Sequence, residues 1–520
     1  MKPARLIPIT VVAVLIAALT SWWQGSGPAP AEGLVAPPLA TSGGPDVLSS
    51  TWFCAAGGAD TPSPPRHALL LSNPSGDVVE VSLTAYDEEG VVGREAVEVE
   101  AERVERVEVG RLFERDDLSV MVESASGELV VEHRLITDGA VDQVPCATSS
   151  SREWYFPSQT TSQVVEDDGT ISATSAARLV LFNPFSQDAG VDITAAVEDG
   201  LRAPSAWAGV VVPAGTVRVI DLGEHIQRRE QASLTVELRN GRVVAETVQV
   251  LLDVGEGDSR SAAGLRLQAG VPAPAARWAF ALGFTGEGVE ERFVVHNPSD
   301  EPAEVVVQVT PVGGAELPPE PFELEVPGRR FSVIDLSEEG RVPGYGHHSI
   351  QVESLDGTPV VVGRVTRITG GPGDADEVPD PAPEPRPDVE AGAAIGTGSP
   401  VVATRWIVPD LVLRDQRDPA IVIHNPGGGI VTVSAEAFGG EDGGTTRVLD
   451  QVEVAAGDGL VVRLADLELG TGDVGVVLTA TSPVLVERIV TFPTRGDLAM
   501  GVAVPVRPSG GGELTPIAEL

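Results

Sequence analysis

Few side chains in this 520-residue chain have the types and spacings that support chemistry. Its seven histidines form neither HExxH nor another zinc-binding spacing, and no GxSxG element or phosphate-cradling glycine loop occurs. His347 and His348 are expected in a solvated loop, and His296 and His424, each just before an Asn-Pro, at a tolerant strand position. We therefore predict no catalytic residue, no metal site and no cofactor, and no enzyme activity.

Carboxylates are the one abundant reactive group, because 76 acidic residues face 35 basic ones and the net charge is −41. Such a field repels phosphate backbones, so nucleic-acid binding is excluded as a function class. Solvated strand faces account for most of these charges. The alternatives are weak cation binding at the acidic turns 87–90 and 166–169, which lack EF-hand spacing, and a carboxylate pair for glycoside hydrolysis.

Charged residues also interrupt a valine-rich strand at one repeated place. We expect them to pair with one another or to face solvent, the alternative being a ligand groove along these strands. The four copies are Glu132-His133-Arg134, Glu246-Thr247, Gly363-Arg364 and Glu487-Arg488.

The element that positions these residues is a module repeated four times, each copy having an apolar run that ends in Asn-Pro. Asn followed by Pro stops a strand, because Pro lacks the ladder N–H and the Asn side chain caps the turn. The four pairs are Asn73-Pro74, Asn183-Pro184, Asn297-Pro298 and Asn425-Pro426.

A tryptophan precedes each Asn-Pro, and in a chain with 4% aromatic residues a ring at one repeated place is typical of a core residue. These are Trp52, Trp154, Trp278 and Trp406. Trp207 lies outside the pattern, in a loop where it could be exposed.

Short alternating apolar runs with frequent turn signals predict an all-β fold of four tandem immunoglobulin-like β-sandwich modules after an N-terminal transmembrane helix. A β-hairpin is expected in every copy, around Ser126-Gly127, Asn240-Gly241, Asp356-Gly357 and Ser482-Pro483. A short closing strand ends each module. The predicted modules span residues 48–148, 149–273, 274–400 and 401–508, with a disordered tail at 509–520; the acidic Pro-rich stretch 371–390 is then an enlarged loop whose ends lie close together.

The N-terminus carries Lys2 and Arg5 before an uncharged run over residues 6–23, long enough to cross a bilayer. We predict a cytoplasmic tip at 1–5, an anchor at 6–23 and a flexible tether at 24–47, with the remaining chain outside the cell membrane. The alternative is a secreted protein released by signal cleavage.

The two cysteines, Cys54 and Cys146, occupy places where the other modules carry the apolar pairs Phe156 with Ala273, Phe280 with Val401, and Val408 with Val506. Apolar replacements are expected if the two positions touch in a core, so an exported protein should form a disulfide there. A free reactive thiol pair is the alternative.

The motifs Trp-Phe-Cys-Ala-Ala-Gly-Gly at 52–58, Leu-Leu-Ser-Asn-Pro at 70–74, Val-Pro-Cys at 144–146 and Trp-Tyr-Phe-Pro at 154–157 resemble an actinobacterial family of exported proteins of unknown function. The resemblance implies a cell-envelope protein with an N-terminal membrane segment and brings no activity with it.

The function expected from the sequence is a non-enzymatic extracytoplasmic envelope protein with a structural, scaffolding or binding role, its modules arranged as a rod. The alternatives are an envelope polysaccharide-processing enzyme or its accessory subunit, and an adhesin-like recognition protein. Expected partners are the membrane, through residues 6–23, and an envelope protein or glycan. The oligomeric state is not predicted.

Overall fold

The computed structural model describes residues 40–520 except 58–64, 138–139, 166–170, 254–263, 313–317, 345, 370–390, 413–418, 442, 465–466, 468, 470–471, 493–496 and 511. The described chain is all-β and forms several antiparallel sheets. The predicted anchor, the acidic turn 166–169 and the loop 371–390 lie outside the described residues. In the described part of the chain, no helix is both long enough and apolar enough to cross a membrane.

The strands fall into four consecutive groups, called modules 1 to 4. Module 1 contains β1 (Ser50–Cys54), β2 (Arg66–Asn73), β3 (Val79–Tyr86), β4 (Val91–Val99), β5 (Arg103–Glu108), β6 (Ser119–Ser124), β7 (Val130–Ile136) and β8 (Val141–Pro145). Module 2 contains β9 (Glu153–Gln159), β10 (Gln163–Val165), β11 (Ile171–Asn183), β12 (Ala189–Val197), β13 (Gly200–Arg202), β14 (Val210–Val212), β15 (Thr216–Asp221), β16 (Ala232–Asn240), β17 (Val244–Asp253) and β18 (Gly264–Ala269).

Module 3 contains β19 (Arg277–Thr285), β20 (Val289–Asn297), β21 (Ala303–Pro311), β22 (Phe322–Val326), β23 (Arg330–Asp335), β24 (Gly346–Ser354), β25 (Val361–Thr369) and β26 (Ala391–Thr397). Module 4 contains β27 (Val401–Val412), β28 (Ala420–His424), β29 (Val431–Gly439), β30 (Thr445–Val454), β31 (Gly459–Arg463), β32 (Asp473–Phe492), β33 (Asp497–Val502), β34 (Val504–Pro505) and β35 (Thr515–Pro516). The described helices are short: α1 (Val109–Phe113) and the 3-10 turns Ser205–Trp207, Leu222–Glu224 and Ile517–Glu519. The disordered tail predicted at 509–520 is wrong in its last residues, because β35 pairs with β27 and Ile517 is buried.

Two four-stranded sheets enclose one core in module 1, with strand orders β1-β6-β3-β4 and β5-β2-β7-β8. Module 3 repeats both orders as β19-β24-β21-β22 and β23-β20-β25-β26. In β3, Val79, Val81 and Leu83 are buried while Glu80 and Ser82 are exposed, which is the alternation of a half-buried strand. Strands β25 and β26 pair at Thr369 and Ala391, so the ends of the enlarged loop lie together as predicted.

The predicted hairpins are wrong. Strands β16 and β17 flank Asn240-Gly241 but belong to different sheets, and β6 and β7 are separated in the same way. Both arms are apolar because each faces the shared core from its own sheet, not because they pair. In module 4 there is no turn at Ser482-Pro483: β32 continues from a sheet with β27 and β29 into one with β28 and β33.

Each Asn of the Asn-Pro repeat is fully buried and ties its turn to a distant strand end. The Asn297 Nδ2 donates to the carbonyls of Glu301 at 2.7 Å and Val326 at 3.0 Å, while its Oδ1 accepts from the Ser299 N–H at 3.0 Å. The other three copies make the same bonds. The residue therefore caps the turn, as expected, and also joins it to the strand that ends 26 residues later in module 1 and 29 residues later in the others.

We predict that Asn297→Asp lowers the free energy of unfolding by about 2–4 kcal/mol, because two carbonyls lose their donor and then face a carboxylate. Urea denaturation measures the change. Asn240→Ala is the control, since Asn240 is exposed, and should cost less than about 1 kcal/mol. Equal effects of the two replacements would contradict the role assigned to Asn297.

The four repeated tryptophans are at most 1% exposed. The Trp154, Trp278 and Trp406 Nε1 atoms donate to the carbonyls of Val243, Val360 and Val484 at 3.1, 2.8 and 3.0 Å. Val243 and Val360 lie just before β17 and β25, and Val484 lies within β32. Trp52 instead donates to the Ser50 hydroxyl at 3.3 Å. Trp207, expected to be exposed, is 1% exposed, because the turn Ser205–Trp207 packs it into the module 2 core.

Cys54 and Cys146 form the expected disulfide, with Cα atoms 4.7 Å apart. The predicted equivalents of Cys146 are wrong by three residues. They were aligned on the prolines near the ends of the closing strands, Pro145, Pro272, Pro400 and Pro505, which do not share one register position. The N–H groups of Cys146, Gly270, Gly398 and Ala503 bond to equivalent carbonyls, those of Val131, Ala245, Val362 and Val486.

In modules 2 and 3, a phenylalanine ring packed against a glycine therefore takes the place of the disulfide. A Cβ at Gly270 would lie 2.9 Å from Phe156 Cζ, and one at Gly398 would lie 2.9 Å from Phe280 Cζ. The large ring occupies the space that the missing side chain leaves, and module 4 has Val408 and Ala503 at the two places.

The four modules close into a ring, so the expected rod is wrong. The closing strands β8, β18, β26 and β33 contact one another in cyclic order, with β33 returning to β8. The segment before β1 also bonds directly to module 4: the Ser42 N–H donates to the Pro505 carbonyl at 3.0 Å and the Arg507 N–H donates to the Ser42 carbonyl at 3.0 Å. Ser42 is fully buried there, so the flexible tether predicted at 24–47 is wrong at this residue. Head-to-tail contacts of this kind give a ring when the rotation closes.

Candidate functional site

Polar side chains are buried at the contacts between neighbouring modules, called seams 1–2, 2–3, 3–4 and 4–1. They come from the interrupted valine-rich strands, β7, β17, β25 and β32. The cation of one module meets the glutamate of the next: His133 with Glu246, Arg364 with Glu487, and Arg488 with Glu132, at 3.3, 3.2 and 2.5 Å. The charges thus pair with one another, as expected, but they do so between modules.

Seam 2–3 has neither member of this pair. Thr247 stands in the cation position and Gly363 in the glutamate position. A Cβ at Gly363 would lie 2.6 Å from Pro157 Cγ, so the proline of module 2 fills the place of the glutamate. Both charges are lost together, as expected where one charge left alone in a core would be costly.

The glutamates also accept backbone hydrogen bonds across the seams. The Glu246 Oε2 accepts from the Ala56 N–H at 2.6 Å, and the Glu487 Oε2 accepts from the Leu282 N–H at 3.2 Å. Ala56 and Leu282 each lie four residues after their module's tryptophan, so both seams use one geometry. Burial raises the pKa of Glu487 above its ordinary value, and the Arg364 guanidinium opposes that shift.

Seam 4–1 has a second buried pair, between the Arg134 guanidinium and the Asp410 carboxylate. Arg134 also donates from Nε to the Gln143 side-chain oxygen at 2.7 Å. Burial raises the pKa of both Asp410 and Glu132, and the arginines Arg134 and Arg488, respectively, are the main opposing influence. This seam joins modules 4 and 1, which are not consecutive in the chain, through two buried ion pairs.

Seam 1–2 contains a row of buried imidazoles. His67 Nε2 lies 3.3 Å from His133 Nδ1, and His133 Nε2 lies 3.3 Å from the Glu246 carboxylate. Burial and then the neighbouring His133 hold the pKa of His67 well below its ordinary value. His133 is the imidazole of the two that faces the Glu246 carboxylate.

A groove of about 1310 Å³ opens at seam 1–2. Module 1 contributes residues 87–89 and 114–117, and module 2 contributes Trp207, β14 and β15. The Val217 N–H donates to the Asp87 carbonyl at 2.9 Å, which joins the two walls at the base. A second cavity, of about 110 Å³, lies where the four closing strands meet and is lined mainly by small and apolar residues.

His348, expected in a solvated loop, is buried, whereas His296 and His424 lie on strands as expected and are also buried. His348 is 3% exposed and pairs with Glu291 at 2.6 Å, because it lies on β24 and not in a loop. The residue before each Asn-Pro packs on the preceding module: Phe182 contacts Tyr86 with ring centroids 5.1 Å apart, and His296 Nε2 lies 3.1 Å from the Thr235 hydroxyl. In the described chain no group of three or more His, Cys, Asp or Glu side chains is arranged to hold a metal ion.

Acid should destabilise the ring through His296 and His424, because burial lowers the pKa of each to about 4. In the unfolded chain each imidazole is protonated below its ordinary pKa of 6.5, whereas in the folded chain it stays neutral until about pH 4. The free energy of unfolding therefore decreases as the pH falls from 6.5 to 4. The loss is about 3 kcal/mol for each histidine.

Urea unfolding at pH 7.5 and 4.5 measures this loss. Module 2 has Phe182 at the same place, so His296→Phe/His424→Phe should remove most of the acid loss while retaining the fold. An unchanged difference between the two pH values would show that other groups cause the acid sensitivity.

Sequence reasoning missed the seams because each charged pair combines residues more than 100 positions apart. One signal was available: at the repeated position the cation and the glutamate are replaced together, by Thr247 and Gly363, in two neighbouring copies. The groove gave no such signal, since its walls come from irregular turns of two modules.

The fold and its seams define a class, a closed ring of four two-sheet all-β modules joined by buried polar contacts. The family model named "Family of unknown function (DUF5719)" matches residues 45–245 and 225–506, and the chain belongs to that family. The predicted resemblance to a family of unknown function is confirmed at this level. No curated protein matches the sequence.

Similar solved structures include the Thermotoga maritima 1070 crystal structure, at 16% identity and a TM-score of 0.19, covering 21% of this chain and 97% of that one. Another is a glycoside hydrolase family 32 structure from Bifidobacterium adolescentis, at 10% identity, a TM-score of 0.13 and coverages of 85% and 99%. E. coli alpha-2-macroglobulin gives 9% identity and a TM-score of 0.11, covering 85% of this chain and 28% of that one. Scores this low carry no argument about fold or function.

Proposed function

We propose that the protein is a non-enzymatic, extracytoplasmic scaffold of the cell envelope, built from four immunoglobulin-like β-sandwiches closed into a rigid ring. The observation that carries the proposal is that every seam is sealed at equivalent positions, three by a buried basic side chain against a glutamate and one by a proline packed against a glycine. Modules fixed in this way hold their outer surfaces at constant separations, which is what a scaffold requires.

Two further features support a location outside the cytoplasm. The disulfide is of the kind that persists in oxidising compartments. The run at 6–23 is long enough to anchor the chain, with Lys2 and Arg5 on the cytoplasmic side. We also propose an actinobacterial source, on the basis of the sequence motifs. Secretion after signal cleavage is the alternative to membrane anchoring.

The test uses the full-length tagged protein in its own cells. We expect it in the membrane fraction, digested by protease added to intact spheroplasts, and purified together with envelope proteins or glycans that mass spectrometry identifies. Protection from the protease would contradict the location. Release of soluble glycan fragments from purified cell wall by the protein would contradict the non-enzymatic role and favour the polysaccharide-processing enzyme.

A further inference from the structure

Above its base, the groove at seam 1–2 is open and does not contribute to closing the ring. It lies between the turns of module 1 and two strands of module 2, β14 and β15, each of which pairs with a single strand in the described chain. Module 1 already covers β15, through the Val217 N–H bond to Asp87 and the Val219 N–H bond to Glu88 at 3.4 Å. The outer edge of β14 remains available to a further strand.

The walls of the groove are acidic. Arg115, its main cation on the module 1 side, is neutralised by Asp87 and Asp117, each at 2.8 Å. Glu89, Glu114 and Glu224 are exposed, line the groove and have no ion-pair partner in the described chain. In all, eight carboxylates and three arginines line the groove, so its net charge is negative. The excess lies on the module 1 side, because Arg178 and Arg218 balance Asp221 and Glu224 on the module 2 side.

The floor combines exposed apolar residues with a buried donor. Val211 and Val219 are 58% and 41% exposed and add apolar surface to the groove. Trp207 lines the groove, is 1% exposed, and its Nε1 has no hydrogen-bond partner among the described residues. A buried N–H without an acceptor is costly, and an acceptor supplied by a ligand would remove that cost.

We propose that this groove binds an extended, cationic segment of a partner polypeptide. An extended chain places alternate side chains on opposite sides, so apolar residues can lie on Val211 and Val219 while basic residues face the three glutamates. Its backbone pairs with β14, and a carbonyl accepts from Trp207. This inference rests on the proposed scaffold role and names the class of partner that the scaffold holds.

The probe is a capped peptide of four Lys-Val repeats, added to the full-length protein at 150 mM salt to screen non-specific attraction to the acidic surface. Isothermal titration measures affinity, and the indole N–H resonance of Trp207 reports the place of binding. The test variant Glu89→Lys/Glu224→Lys changes one wall residue in each module. The control Glu95→Lys/Glu98→Lys makes the same charge change on exposed β4 residues outside the groove.

We expect the peptide to shift the Trp207 resonance but not those of the four repeated tryptophans. The test variant should weaken peptide binding at least tenfold, while the affinity of the control variant stays within twofold of the native value. Equal loss in both variants, no binding, or a Trp207 response to a peptidoglycan oligosaccharide in place of the peptide would overturn the proposal. If the full-length protein stays in the envelope fraction with its partners but does not bind the peptide, the groove proposal fails and the scaffold role stands.

Discussion

Replacing Arg364 with methionine is expected to lower the free energy of unfolding by about 3–5 kcal/mol, one of the two largest effects we predict. The substitution leaves the Glu487 carboxylate, 1% exposed, without its cation at seam 3–4. An uncompensated buried charge is far more costly than the loss of the pair as a whole. Urea denaturation monitored by tryptophan fluorescence gives the change directly.

The double variant Arg364→Met/Glu487→Gln separates pairing from packing. Glutamine keeps an acceptor for the Leu282 N–H but has no charge, so at least about 2 kcal/mol of the single-variant loss should return. Arg447→Met is the matched control, because Arg447 and its partner Asp450 are 62% and 66% exposed, and should cost less than about 0.5 kcal/mol. A double variant as unstable as Arg364→Met alone would rule out charge pairing as the role of these residues.

Removing the disulfide with Cys54→Ala/Cys146→Ala should cost about 4–5 kcal/mol in the chain-entropy model. The bond closes a separation of 92 residues, and that constraint on the unfolded chain is lost. Thermal unfolding with and without reductant measures the change. Reductant should lower the stability of the native protein and leave the variant unaffected.

The register of the closing strands also predicts where a second disulfide can be introduced. Phe280→Cys/Gly398→Cys in module 3 should form a second disulfide in an oxidising compartment, since these positions match Cys54 and Cys146. Mass spectrometry of non-reduced peptides detects it. Two free thiols in the folded variant would show that Gly398 is not the equivalent of Cys146.

Local features of each module could be predicted because they depend on nearby residues. The Asn-Pro turns, the repeated tryptophans and the half-buried strand β3 follow from periodicity and turn chemistry. Pairing between strands could not be read in the same way, since two apolar arms look alike whether they share a sheet or face each other across a core. For this reason β16 and β17 were expected to form a hairpin.

The ring could not be predicted because nothing in one copy of a repeat specifies the angle to the next. A small change of that angle separates a rod from a closed assembly. The closure depends on contacts between the two ends of the chain, such as that of Ser42 with Pro505, which are more than 400 residues apart. The repeated charges were visible, but only the structure shows that they meet across seams.

Closure of the ring is tested most directly by the distance between modules 1 and 4 in solution. Spin labels on Glu128→Cys/Arg405→Cys would replace a pair that lies 3.2 Å apart across seam 4–1, and the two native cysteines are already joined. The ring predicts a single label separation of about 20 Å or less. A rod places two whole modules between the labels, so a separation beyond about 50 Å, from strands of eight or nine residues at about 3.3 Å each, would contradict the closed architecture.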